Sequence, residues 1–316
     1  MRSVQWLCGS WAVIVLSLAA GVERADAADA TFETLKNSRR IVFLGDSITA
    51  AGGYVAAVDA WILTRKLAAP PVVIDAGLPS ETLSGLSEDG HAGGKFPRPD
   101  LHERLDRILA VTKPDLVFAC YGINCGIYLP FDQERFSRYQ QGYRTLKTKV
   151  EAAGAKFIVI TPPCYDDQRK PLGEFSYNAV LDRYSEWLVG QREQGWSVID
   201  LHSAMTREVT KRRETDPMFT FQPDAVHPND AGHWFIAQQL IRQFGDEKSA
   251  AASTPQAMLA LNGVAEEALP IIKRRVNVLR DAYVGAAGHK RPGVAVGLPI
   301  AEAEAKYNEL TRELRK

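Results

Sequence analysis

Residues 41–47 read IVFLGDS, a short apolar run that stops at a glycine and continues into an acid and a serine. Four further segments have the same form, an apolar run followed by turn-forming residues: 72–74 (VVI), 116–120 (LVFAC), 157–160 (FIVI) and 196–199 (WSVI). Short apolar runs without alternation are typical of parallel strands that are buried on both faces. The sequence therefore predicts five parallel strands.

Amphipathic helices are predicted between these strands. The longest covers residues 132–153, and others cover 54–68, 101–111, 176–194 and 230–244. Strands that alternate with helices indicate an α/β fold with a parallel sheet, and right-handed crossovers place helices on both of its faces. We expect a three-layer α/β/α fold with the flavodoxin-like strand order 2-1-3-4-5. Ligands in such sheets bind beyond the carboxyl ends of the strands.

Ser47 follows the first predicted strand, so its hydroxyl is expected at the mouth of the sheet. A serine hydroxyl is a weak nucleophile until a neighbouring base takes its proton. The same Gly-Asp-Ser sequence also fits a strand-to-helix turn in which the serine caps the helix. A phosphate-binding loop is a weaker alternative, because that motif needs a lysine where this chain has Tyr54.

An acid and a base come late in the chain, in the segment DAVHPN at residues 224–229. Asp224 precedes His227 by three positions, in a turn ahead of a predicted helix. One turn can direct the imidazole toward the serine and place the carboxylate behind it, where it holds the tautomer and stabilises the imidazolium. Taken alone, Asp224 would be interpreted as a surface acid and His227 as a structural histidine. Together with Ser47 they predict a catalytic triad.

Four segments, in order, make the chain resemble the SGNH (GDSL-like) hydrolases, in particular exported bacterial members. They are residues 45–47 after the first strand, Gly77 after the second, residues 122–124 after the third, and residues 224–227. The resemblance covers about residues 38 to 245. It implies a three-layer α/β/α fold, a Ser-His-Asp triad and ester hydrolysis without a metal or other cofactor.

The resemblance also implies an oxyanion hole. Its donors would be the backbone amides of Ser47 and Gly77 and the side chain of Asn124. The third segment departs from the family pattern, which usually reads Gly-x-Asn-Asp, because Cys125 occupies the last place. The amide donor is kept, and the support that the aspartate would give to the loop is in question.

The chain has 38 lysines and arginines and 38 aspartates and glutamates, so its formal net charge is zero. This balance gives no electrostatic reason to expect nucleic acid or an anionic membrane as a partner. The basic runs at 211–213 and 273–275 fall in helical patterns and are interpreted as solvated faces. Asp166 and Asp167 have no histidine or glutamate at ligand spacing, so no metal site is predicted.

The N-terminal segment has the form of a secretory signal peptide: Arg2, an apolar run at 11–20 and the small-x-small sequence at 25–27. The run is shorter than the ~20 residues that a membrane-spanning helix needs. We therefore expect residues 1–27 to be removed on export to the periplasm or the medium, with no membrane span in the mature protein. A membrane anchor is the alternative.

The remainder divides into a hydrolase domain, residues 28–248, and a helical C-terminal extension, residues 249–316, that we expect to pack on it. The segment SAAASTPQ at 249–256 is a linker by composition. Helical patterns follow near 264–286 and 300–315, with a basic loop at 288–293 between them.

Export would leave three cysteines in an oxidising compartment, where one disulfide and one free thiol are possible. Cys125 and Cys164 follow the third and fourth strands, which are neighbours in the expected order. A bond between them is one prediction, and two free thiols are the alternative. Cys120 lies inside the third strand and is expected to be a buried thiol.

These features predict a serine esterase that acts on small acyl esters. Acetyl groups on carbohydrate are the substrate suggested by analogy with exported members of the family. The alternative is a non-catalytic carbohydrate-binding protein with the same fold. A flavodoxin-like nucleotide binder is a third interpretation, weakened by the missing phosphate loop.

Overall fold

The computed structural model describes residues 32–314, and the predicted signal peptide lies outside them. Its centre is a five-stranded parallel sheet in the order β2-β1-β3-β4-β5. The strands are β1 (Arg40–Gly45), β2 (Val72–Asp75), β3 (Leu116–Cys120), β4 (Lys156–Ile160) and β5 (Ser197–Ile199). The predicted strands and their flavodoxin-like order are confirmed.

The strands are buried because helices cover both faces of the sheet. In chain order the helices are α1 (Ser47–Ala50), α2 (Gly53–Thr64), α3 (Leu101–Thr112), α4 (Gln133–Ala152), α5 (Tyr177–Gly190), α6 (Leu201–Arg213), α7 (Asp230–Gln243), α8 (Glu247–Ala250), α9 (Pro255–Leu261), α10 (Ala268–Ala287) and α11 (Ile300–Glu313). A helical stretch at 32–36 precedes β1, and two short 3₁₀ segments lie at His91–Gly94 and Gln191–Gln194. Helix α2 packs against α7, and α3 packs against α4, as expected for two helical layers separated by the sheet.

The carboxyl ends of the central strands finish level with one another. Gly45 at the end of β1 is paired with Cys120 at the end of β3, which is paired in turn with Ile160 at the end of β4. The loops that follow these three strands therefore begin at the same edge of the sheet. This edge is where ligands bind in open parallel sheets.

The C-terminal helices pack along the β2 side of the molecule. Helix α10 contacts β2, α2 and α3, and α11 packs on α10. Because β2 is an edge strand, α10 covers backbone that would otherwise be open to pairing with another chain. The segment interpreted as a linker is partly helical, since α9 begins at Pro255 and buries Met258 and Leu259.

The cysteines of the described residues, Cys120, Cys125 and Cys164, are all free and buried. Cys125 Sγ accepts a hydrogen bond from the Leu83 amide at 3.3 Å, and Cys164 contacts Gln222. The structure therefore has the pair of free thiols rather than the disulfide. Within residues 32–314, no helix combines the length and apolarity needed to cross a bilayer.

Candidate active site

Ser47 is the first residue of α1, directly beyond β1. Asp46 caps this helix, and its Oδ1 accepts a hydrogen bond from the Ile48 amide at 3.0 Å. Position 45 requires glycine, because a Cβ there would lie 2.0 Å from Thr49 Oγ1. Burial raises the pKa of Asp46 to about 7. The turn thus holds the serine at the carboxyl edge of the sheet.

Ser47, His227 and Asp224 form a continuous hydrogen-bonded chain. Ser47 Oγ lies 2.8 Å from His227 Nε2, and His227 Nδ1 lies 2.7 Å from Asp224 Oδ2. The His227 amide also donates to Asp224 Oδ1 at 2.7 Å. Burial acts to raise the pKa of Asp224, but the hydrogen bonds from His227 and from the Val226 amide outweigh it and hold that pKa below its usual value. A carboxylate that stays ionised fixes the proton on Nδ1 and leaves Nε2 free to accept.

Asn124 follows β3 and is buried in a network that fixes its side chain. Its Oδ1 lies 2.9 Å from Arg98 Nη1 and 3.0 Å from the Tyr128 hydroxyl. Its Nδ2 lies 3.3 Å from the carbonyl oxygen of Glu81. The guanidinium can only donate, so the oxygen of Asn124 must face it and the amide hydrogens must face the other way.

Gly77 does not line the cleft at Ser47. Its amide donates to Asp75 Oδ1 at 2.8 Å, and a Cβ on Gly77 would lie 2.3 Å from the Ala50 nitrogen. The glycine is therefore needed for close packing against α1. Ser80, three residues further on, does line the cleft, and its φ of 68° lies in the left-handed region that side chains disfavour.

The amides of Ser47 and Ser80 have no hydrogen-bond acceptor among residues 32–314. The Ser80 carbonyl instead accepts from Arg98 Nη1 at 3.4 Å. The residues that carry these two amides, Ser47 and Ser80, line one cleft together with Asn124. The sequence predictions named Ser47 and Asn124, but no motif marks Ser80, whose distinguishing feature is its backbone conformation.

A cleft of about 590 Å³ contains the serine. Most of the residues that line it are polar or charged by type: Ser47, Ser80, Glu88, His91, Arg98, Asn124, Lys170, Asp224, His227 and Arg291, with Tyr128 and Tyr165. Pro79, Leu172 and Val226 are its aliphatic members. Tyr54, on α2, is fully buried, and its hydroxyl lies 2.9 Å from Thr49 Oγ1 on α1.

The long connection between β2 and α3 supplies a wall that sequence motifs did not identify. Arg98 makes a two-pronged ion pair with Glu88, in which both nitrogen–oxygen distances are 2.6 Å. His91 Nδ1 lies 3.2 Å from the same carboxylate. The length of this connection was the available signal, since long loops in compact domains are often functional.

Asp166 and Asp167, which were considered from the sequence, and the buried His233 have structural contacts. Asp166 pairs with Arg213 at 2.7 Å, and Asp167 accepts a 2.9 Å hydrogen bond from the Tyr177 amide at the start of α5. His233 stacks on Tyr54, and burial lowers the pKa of this histidine to about 4. None of the three lines the cleft at Ser47.

Comparison with known proteins identifies the family. The sequence model of the GDSL-like Lipase/Acylhydrolase family matches residues 43–235, more than half of the chain. The chain belongs to this family. It is therefore a serine ester hydrolase with the α/β/α fold of the SGNH type, as the sequence predicted. A search of curated proteins finds no match.

Solved structures share the fold of this GDSL-like hydrolase at low sequence identity. BT4096, a gut microbial diltiazem-metabolizing enzyme, is 21% identical with a TM-score of 0.52 over 66% of this chain, and the chain spans only 47% of that protein. LAE5, an α/β hydrolase from the metagenome of Lake Arreo, is 22% identical with a TM-score of 0.50, covering 66% of this chain and 95% of LAE5. Axe2, an acetylxylan esterase from Geobacillus stearothermophilus, has 22% identity and a TM-score of 0.49, covering 66% and 94%.

Proposed function

We propose that this GDSL-like hydrolase cleaves small acyl esters, in particular acetyl esters of carbohydrates, with Ser47, His227 and Asp224 as its catalytic triad. The observation that carries the proposal is the continuous chain from Ser47 Oγ to His227 Nε2 at 2.8 Å and from His227 Nδ1 to Asp224 Oδ2 at 2.7 Å. This is the arrangement that converts a serine hydroxyl into a nucleophile.

In the proposed reaction, His227 Nε2 takes the hydroxyl proton as Ser47 Oγ bonds to the ester carbonyl carbon. The tetrahedral intermediate collapses, the carbon–oxygen bond to the alcohol breaks, and His227 returns the proton to the departing alcohol. Water then attacks the acyl-serine with His227 again as base, the bond from the carbonyl carbon to Ser47 Oγ breaks, His227 returns the proton to Oγ, and the acid leaves. Asp224 remains ionised throughout and stabilises the imidazolium.

We assign the developing oxyanion to three donors: the amides of Ser47 and Ser80 and Nδ2 of Asn124. The first two are free of acceptors in the described part of the chain, and the third is oriented by Arg98 and Tyr128. Donors that are already aimed at the developing charge need no reorganisation in the transition state. Ser80 takes the part that the sequence had given to Gly77, whose amide is occupied by Asp75.

The lining of the cleft favours a short acyl group and a polar alcohol. A long acyl chain needs continuous apolar surface, since its binding depends on the apolar area removed from water. The cleft offers only Pro79, Leu172 and Val226 as aliphatic contacts. Its charged groups and its tyrosines Tyr128 and Tyr165 suit a hydroxylated ligand such as a sugar.

The test is hydrolysis of p-nitrophenyl acetate, butyrate and octanoate, and of an acetylated oligosaccharide, by wild type and Ser47→Ala. We expect kcat to fall by about 10⁴-fold or more in the variant, because members of a triad act as a unit. Ser137→Ala, on α4 and away from the cleft, is the matched control and should leave kcat unchanged.

Activity of Ser47→Ala within tenfold of wild type would remove the triad assignment. A wild type that binds the oligosaccharide but hydrolyses none of these esters would instead support the non-catalytic carbohydrate-binding alternative. Equal or better turnover of the octanoate would contradict the proposed short acyl group while leaving the triad in place.

A further inference from the structure

The charges that line the cleft do not cancel. Of its two carboxylates, Glu88 is paired with Arg98, and Asp224 is paired with His227. Lys170 and Arg291 line the same cleft, and neither makes an ion pair with any residue in the range 32–314. The cleft thus contains two cationic groups that have no counter-charge among the described residues.

Arg291 is held in place by packing rather than by an acidic partner. Its guanidinium lies 4.8 Å from the centre of the Phe96 ring, and Phe96 packs edge-on against His91 at 5.4 Å. Its Nη1 donates to the neighbouring Pro292 carbonyl. The loop between α10 and α11 is therefore anchored on the β2–α3 connection, and its arginine reaches the cleft.

The guanidinium of Arg291 also has unused donors. Its Nε is buried without a hydrogen-bond partner in the described part of the chain, and its Nη2 donates to no acceptor there. Buried polar groups normally have partners, and a planar guanidinium is suited to the paired oxygens of a carboxylate or a sulfate. A ligand that supplied such oxygens would satisfy Nη2 and neutralise the charge.

From these observations, and resting on the esterase function proposed above, we propose that the substrate carries an anionic group, which Arg291 and Lys170 bind. Because an acetyl group has no charge, the anion belongs to the alcohol part, as the carboxylate of a uronic acid or as a sulfate on the sugar. Arg291 lies outside the family match, which ends at residue 235. The C-terminal extension therefore contributes to substrate choice.

The experiment compares kcat/KM for three acetyl esters with the acetyl group on the same hydroxyl: a methyl glucoside, the corresponding glucuronide and the corresponding 6-sulfate. We expect at least one anionic substrate to exceed the neutral one about tenfold or more, as for a charge-assisted hydrogen bond. Which of the two is preferred identifies the anion. The preference should shrink as ionic strength rises.

Two variants test the residues. Arg291→Gln and Lys170→Gln should each lower the ratio of kcat/KM between the preferred anionic substrate and the neutral one, Arg291→Gln by about tenfold. Arg291→Glu should reverse the preference. Arg207→Gln, at an exposed position on α6 outside the cleft, is the control and should leave the ratio unchanged. Lys170 is exposed, so we expect Lys170→Gln to fold normally, and this variant keeps the test valid if Arg291→Gln misfolds.

Equal kcat/KM for all three substrates, or an unchanged ratio in both glutamine variants, would overturn the anionic subsite. If wild type cleaves p-nitrophenyl acetate but none of the sugar esters, the test is inhibition of p-nitrophenyl acetate hydrolysis by methyl glucuronide and by methyl glucoside 6-sulfate. If neither anionic sugar inhibits more strongly than methyl glucoside, the anionic subsite is overturned as well. These outcomes are distinct from retained activity in Ser47→Ala, which contradicts the triad itself.

Discussion

Arg98 Nη1 donates a 2.9 Å hydrogen bond to Asn124 Oδ1, and Arg98 is only 9% exposed. The rest of the guanidinium is fixed by Glu88, which accepts from Nε and Nη2. A buried cation on the amide oxygen sets the orientation of Asn124 and polarises its N–H bonds. We infer that Arg98 is a positioning residue for the oxyanion donor, and that it supplies loop support where the family usually has an aspartate in place of Cys125.

Replacing Arg98 tests this relationship. Arg98→Met should lower kcat by roughly tenfold to a hundredfold, because the donor loses its fixed orientation, with little change in KM. Arg98→Lys keeps the positive charge but cannot make the two-pronged ion pair with Glu88. Its kcat should therefore lie between those of Arg98→Met and wild type. Steady-state kinetics with p-nitrophenyl acetate measures both. A purely structural role predicts a lower melting temperature with normal turnover, and that result would contradict our inference.

Asn124 and Cys125 are adjacent but should respond differently. Asn124→Ala removes an oxyanion donor and should lower kcat by about 10²–10³ with KM little changed. Cys125 is fully buried with its Sγ beside the Leu83 amide, so Cys125→Ser should affect stability more than turnover. The paired measurement is kcat and melting temperature for both variants. Normal turnover in Asn124→Ala would show that the carbonyl oxygen is held elsewhere.

The sequence was sufficient for the sheet, because its signal is local. Each strand is an apolar run that ends in turn-forming residues, and the predicted order 2-1-3-4-5 is the observed one. Ser47, Asp224 and His227 were identifiable for a related reason. Ser47 follows β1, which places it at the carboxyl edge of the sheet, and Asp224 and His227 were identifiable from their spacing of three residues ahead of a predicted helix.

The remaining wall of the cleft depends on long-range packing that no local pattern reports. Ser80 has a left-handed backbone conformation, Arg98 contacts a residue 26 positions away, and Arg291 stacks on Phe96. Gly77 shows the opposite case. The glycine is required for packing on α1, and its amide is occupied by Asp75, so the oxyanion role that the motif match implied for Gly77 is the one we propose for Ser80.

Asp75 provides a prediction about stability and pH. Burial raises its pKa to about 7, and its Oδ2 has no hydrogen-bond partner among the described residues. Because the folded pKa exceeds the unfolded one, the contribution of Asp75 to stability is fully present below about pH 4 and is lost as pH rises through about 7. Asp75→Asn cannot ionise and keeps an oxygen for the Gly77 amide. Its melting temperature relative to wild type should therefore increase from pH 4 to pH 8.

Asp115 is the matched control, because its pKa is shifted in the opposite direction. Partial burial acts to raise its pKa, but hydrogen bonds from the Arg40 and Arg39 amides outweigh this and lower it. Its contribution is present above about pH 4 and is lost as pH falls below that. Asp115→Asn should thus become less stable than wild type as pH rises through about 4. A difference for Asp75→Asn that is flat with pH would contradict the raised pKa.

The last prediction concerns how the C-terminal extension is attached. Arg275 on α10 makes a two-pronged ion pair with Asp59 on α2, at 2.6 and 2.8 Å, and the two side chains are 5% and 1% exposed. Arg275→Met leaves a buried carboxylate without its partner, which typically costs about 3–5 kcal/mol of unfolding free energy. Burial already acts to raise the pKa of Asp59, so the loss should be smaller at pH 5, where the carboxyl can take a proton, than at pH 8.

Urea unfolding at the two pH values measures this loss, and two further variants make it specific. Arg274→Met removes the neighbouring surface pair with Glu313, whose side chains are 59% and 48% exposed, and should cost less than about 1 kcal/mol. The double variant Asp59→Leu, Arg275→Met leaves no buried charge and should recover much of the loss, because apolar replacement of a buried pair is often neutral. If Arg275→Met costs no more than Arg274→Met, the attachment of α10 does not depend on this pair. A loss that the double variant fails to recover would instead trace the effect to the contacts of Arg275 with Thr311 and Tyr307 on α11.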